Sequence, residues 1–122
     1  MKTIIDIKEA NILLQFYIGA TLQKEMYSTS LKRMALRLVL PNVKEVLYVI
    51  GIGCESLNGR FGFTNANLNI TVDVINEKFE PITIIADKLV EFSLVTSGGF
   101  SLAQGIESEF GTSFENILVD KE

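Results

Sequence analysis

The sequence predicts a mainly β protein, a single-domain antiparallel sheet over residues 1–122, folded as a bent sheet, sandwich or open barrel with one or two short helices. Three observations predict it. Apolar side chains recur with period two along several stretches, the spacing of half-buried strands. Pro41, Asn58-Gly59, Pro81 and Ser97-Gly98-Gly99 cut the chain into pieces of strand length. With 122 residues, 48% hydrophobic and 21% charged, the composition is that of one globular domain with its own core. No repeat, low-complexity run or linker divides it.

The elements follow in order. From Ile12 to Leu22 the even positions Ile12, Leu14, Phe16, Ile18, Ala20 and Leu22 are apolar, which predicts a strand. Residues 30–40 fit a helix through Leu31, Met34, Ala35 and Leu38, or a strand through Met34, Leu36, Leu38 and Leu40; we read a strand ended by Pro41. Val46, Tyr48, Ile50, Ile52 and Cys54 share one face while Leu47 and Val49 fill the other, which predicts a central strand covered on both sides. Ala66, Leu68, Ile70, Val72 and Val74 alternate with Asn65, Asn67, Asn69, Thr71 and Asp73.

Asn58-Gly59 between these two arms suits a type I′ turn, so residues 44–75 are expected to form one long hairpin. A simple two-residue turn would oppose inward and outward faces, so a β-bulge is expected near Gly62–Thr64. Ile82–Ala86, Leu89–Thr96 and Phe100–Ala103 read as a further meander. Thr112-Ser113-Phe114-Glu115 matches a capping box, and Phe110, Phe114, Ile117 and Leu118 suggest a short terminal helix.

The absences restrict the function. The chain has no histidine, no tryptophan and one cysteine, Cys54. Serine–histidine or cysteine–histidine catalysis and a structural zinc site are therefore excluded, and no internal disulfide is available. No catalytic, cofactor-binding or metal-ligating residue is nominated, and the expectation is a protein that is not an enzyme and takes no cofactor. Charges recur within the first nine residues, and the longest apolar runs fall far short of a membrane span of roughly 20 residues. A cytoplasmic chain with no membrane partner is expected.

Net charge is −4, which argues against nucleic acid as a partner. The halves differ: residues 1–60 carry 8 basic and 5 acidic side chains, residues 61–122 carry 3 and 10. An acidic surface of this kind suits a basic protein partner. Asp87, Glu91, Glu107 and Glu109, with Glu115, Asp120 and Glu122 beyond, are the acidic candidates for it. Asn65, Asn67 and Asn69, continued by Asp73, form a rack of polar side chains on one strand face and are the candidate partner-binding residues beside them.

Other features read as structure. Gly51-Ile52-Gly53 with Asp73 downstream lacks the third glycine and the following helix of a dinucleotide fingerprint, so the glycines are expected to admit a close neighbour. Cys54 is expected to be a small core hydrophobe. Lys32, Arg33 and Arg37 are too few for a nucleic-acid footprint. Phe63–Leu68 looks like one unit of a pentapeptide repeat, and a single occurrence excludes a solenoid. The expected function is a small acidic binding protein that occludes or escorts a basic partner, such as an immunity protein for a bacterial toxin or a secretion chaperone. A self-associating structural subunit and, third, a small-ligand carrier are the alternatives.

Overall fold

The computed structural model describes residues 1–30, 32–60, 62–73, 81–87 and 89–110. The expected terminal helix lies outside them, as do Val74, Glu115, Asp120 and Glu122. The protein is mainly β. Its elements are β1 (Lys2–Ile4), α1 (Ile7–Gln15), β2 (Ala20–Ser28), β3 (Arg33–Val39), β4 (Val46–Ile52), β5 (Cys54–Asn58), β6 (Gly62–Ala66), β7 (Leu68–Asp73), β8 (Ile82–Asp87), β9 (Phe92–Thr96) and β10 (Phe100–Gly105), followed by a 3-10 turn at Glu107–Glu109.

The strands form a six-stranded sheet ordered β1-β10-β4-β3-β2-β6 and a four-stranded sheet ordered β5-β9-β8-β7. Three stretches of chain belong to both sheets. β4 runs into β5 across Gly53, β6 into β7 across Asn67, and β9 into β10 through Ser97–Gly99. The antiparallel ladders therefore close into a ring, β2 to β3 to β4/β5 to β9/β10 to β8 to β6/β7 and back to β2, with β1 added outside β10. Closure of this kind removes most of the exposed strand edges that invite aggregation.

The ring is filled from within. Leu22, Leu36, Leu38, Leu47, Val49, Ile70, Ile85, Leu94 and Leu102 are essentially inaccessible and form one cluster, to which α1 and its C-terminal turn add Ala10, Leu13, Leu14 and Tyr17. A second cluster, Ala35, Val46, Tyr48, Ile50, Ala103 and Phe110, lies on the opposite face of β4. Phe110 stands edge-on to Tyr48 with ring centroids 4.7 Å apart. The central strand is thus covered on both faces, as its continuous apolar run predicted.

Three expectations are corrected. The stretch Ile12–Leu22, expected as one strand, is instead the last turn of α1 up to Gln15, a turn over residues 16–19 and the first three residues of β2. Asp6 accepts a hydrogen bond from Glu9 N at 3.0 Å and caps α1, and the buried positions Ala10, Leu13, Leu14 and Tyr17 follow helical spacing. A helix of nine residues is marginal alone, so this buried face is what holds it. The hairpin expected over residues 44–75 does not form. β5 pairs with β9 and β6 with β2, because Gly53, at φ +68°, turns the chain out of β4 into the other sheet. The bulge is present but one step along and against β2: Phe63 opposes Leu22 and Ala66 opposes Ala20, with Asn65 at φ +57° in the extra position.

β3 is a strand, and β8 and β9 pair as expected, with β9 starting three residues later than the apolar run, but β10 does not continue the meander: Ser97–Gly99 carry the chain into the other sheet, where β10 pairs with β4 and β1. Gly51 admits a close neighbour: a Cβ there would lie 2.8 Å from Leu94 Cδ2 and 2.9 Å from Thr96 Cγ2.

Candidate protein-binding surface

The asparagines and α1 share one corner of the ring. β7 pairs with β8 on one side only, and α1 lies along its other edge. There the Asn11 side-chain amide replaces a missing strand: Nδ2 donates to Ile70 O and Oδ1 accepts from Ile70 N, both at 2.8 Å. Both backbone groups are thereby satisfied without a ladder. Gly19 N donates to Ala66 O at 2.8 Å, so the segment after α1 enters β2 beside β6.

Between α1 and the outward face of β7 runs an open groove of about 600 Å³, lined by Asn11, Gln15, Ile18, Asn67, Leu68 and Asn69. Asn65, on the bulge, is exposed, with Oδ1 3.9 Å from where a Cβ on Gly19 would stand. The three asparagines thus face the same corner as the C-terminal end of α1. A smaller groove of about 220 Å³ flanks the helix on its other side, between Lys2, Ile4, Glu9, Ile12, Leu13 and Phe16.

The ridge between the grooves is apolar and exposed. Ile12 is 58% accessible, Phe16 72% and Ile18 51%, with Ile5 at 76% just before the helix. Single exposed apolar residues are ordinary, but several along one helix and its flanking turns, bordered by polar side chains, mark contact surfaces. Sequence reasoning placed Ile12, Phe16 and Ile18 in the core, because their even spacing mimics a strand. The helical spacing of Ala10, Leu13, Leu14 and Tyr17 with an aspartate cap was the signal that separates them.

The acidic candidates do not assemble. Asp87 occupies an inward position of β8 opposite Leu68 and Phe92 and is 1% accessible. Its carboxylate accepts from Asn67 N at 2.6 Å and Leu89 N at 2.9 Å, tying the β6–β7 corner to the turn after β8. The expected exposed role of Asp87 is corrected to a buried clamp. Glu107 pairs with Arg37 of β3. Glu109 pairs with the Met1 ammonium and accepts from Ile106 N at 2.9 Å, and these hydrogen bonds hold its carboxyl below the usual glutamate range. Glu91 is exposed in the turn before β9, and Asp73 is exposed at the far end of β7.

A third hollow of about 230 Å³ beside β5 includes Lys24, Tyr27, Met34, Cys54, Glu55 and Leu94 among its walls. Burial pushes the half-buried Cys54 thiol above its ordinary pKa, Sγ donates to Gly51 O at 3.6 Å, and the side chain packs against the main core. A protonated thiol is a poor nucleophile. Among the described residues no helix is long and apolar enough to cross a membrane. Comparison with known proteins found no match: no family model, no curated protein and no solved structure is significantly similar to the chain.

Proposed function

We propose that the protein is a non-enzymatic binding domain of the inhibitor or escort type, which holds a protein partner on the corner built by α1 and the asparagine face of β6–β7. The observation that carries this reading is the exposed ridge of Ile12, Phe16 and Ile18 standing between two grooves. It has the anatomy of a contact surface, an apolar and aromatic centre with a polar rim supplied by Asn65, Asn67, Asn69 and Gln15. Two further points support binding over carriage or catalysis: side chains fill the interior of the ring, and the chain has no histidine.

Attraction of a basic partner rests on the net charge of −4 as a whole, since Asp87 is buried and Glu107 and Glu109 are engaged within the chain. The test is parallel affinity capture from source-cell lysate with the wild-type chain and Phe16→Ser, washed at stepped salt. The reading expects one stoichiometric partner on the wild type and its loss, by tenfold or more, on Phe16→Ser. Equal recovery on both would refute the assigned surface. Wild-type bait that purifies alone, at twice the mass of one chain by light scattering, would replace the reading with self-association.

A further inference from the structure

We infer that the groove between α1 and β7 is a binding site for an extended, uncharged peptide segment, held by side-chain amides along its backbone. This rests on the protein-binding reading above and names the chemistry of what that corner takes.

Among the described residues the groove's walls are Asn11, Gln15, Ile18, Asn67, Leu68 and Asn69, with no ionisable side chain among them, in a chain whose residues are 21% charged. A charged segment entering it would be desolvated without an opposite charge to meet, whereas an uncharged one matches. The lining is also an amide lining. A primary amide both donates and accepts, which is what a peptide unit requires. The fold already uses that chemistry at the same place: the Asn11 amide holds the N–H and C=O of Ile70 at 2.8 Å each, a side chain standing in for a neighbouring strand.

Asn67, at the corner between β6 and β7, and Asn69, on β7, flank Leu68 and both line the groove. Their two amides offer donors and acceptors to the peptide units of a segment lying along the start of β7. Ile18 supplies apolar contact for a side chain turned into the groove, and a volume of about 600 Å³ accommodates a few residues.

The probe is a displayed library of random heptapeptides, selected on the intact wild-type protein, with the enriched sequences resynthesised blocked at both ends. The expected result is enrichment of sequences without charge at their central positions, and at least tenfold weaker binding to Asn67→Ala/Asn69→Ala at unchanged melting temperature. Gln15→Asp, on the exposed side of α1, provides an independent readout: it should shift a repeated selection towards lysine and arginine. Enrichment of charged peptides, binding indifferent to both variants, or no enrichment above background would each overturn the inference. Failure is separable from that of the broader reading, because a partner lost on Phe16→Ser but retained on Asn67→Ala/Asn69→Ala leaves the apolar ridge standing and removes only the peptide groove. A complex in which a second copy of the chain fills the groove, seen as a doubled mass abolished by Asn67→Ala/Asn69→Ala, also overturns it.

Discussion

Asp87 and Asn11 carry opposite lessons about polar side chains in this chain. Asp87 is a carboxylate placed where its β8 alternation demands an inward residue, and it is retained there by two backbone N–H donors. Replacing it with alanine leaves both donors without their partner in the interior and should cost about 2–4 kcal/mol, read as a fall in the denaturation midpoint with an unchanged slope. Asn11→Ala strips both hydrogen bonds from the β7 edge and should cost about 1–3 kcal/mol, with faster amide exchange at Ile70. Glu109 gives a pH signature. Its folded-state pKa lies below the ordinary 4.5 through hydrogen bonds to the Met1 ammonium and Ile106 N, so its stabilisation is present above pH 4.5 and is lost as pH falls through the folded value. The melting temperatures of wild type and Glu109→Gln should therefore differ at neutral pH and converge in acid. Cys54, with its thiol pushed upward by burial, should react with iodoacetamide at pH 7 more slowly than a free thiol, and faster labelling would contradict its assignment to the core.

At the scale of elements, what sequence made legible was whatever a strand owes to its own side chains. β3, β4, β8 and β10 each carry enough apolar residues to declare themselves, and Pro41 and Ser97–Gly99 mark their ends. The asparagine face was legible too, because Leu68 and Ile70 alternate with it. α1 was not, since it is apolar on its exposed side as well as its buried one. Two periods coexist over the same residues, and only burial against the ring decides for Ala10, Leu13, Leu14 and Tyr17. The misread residues, Ile12, Phe16 and Ile18, are those the candidate site needs. Gly53 marks the other failure, a positive φ that local spacing does not reveal. Gly53→Ala adds strain at that φ and brings a Cβ within 2.8 Å of Ser97 Oγ and 3.0 Å of Gly98 N, so it should destabilise by about 1–3 kcal/mol in thermal unfolding.

The whole molecule is closed by pairings that no local pattern specifies. β6 returns to β2, and β10 to both β4 and β1, across long stretches of sequence, so the ring is a property of the assembled ladders and not of any hairpin. The same closure sets apart the corner where α1 replaces a strand along β7, while Asp87 is buried and Glu107 and Glu109 are engaged in ion pairs within the chain. Hydrogen exchange of the captured complex against the free protein tests the central claim most directly, since it reports where the partner sits. Slowed exchange at residues 11–19 and 65–69, with the rest unchanged, is the result this account predicts. Protection confined to β8 and β9, with α1 exchanging as in the free chain, would contradict it.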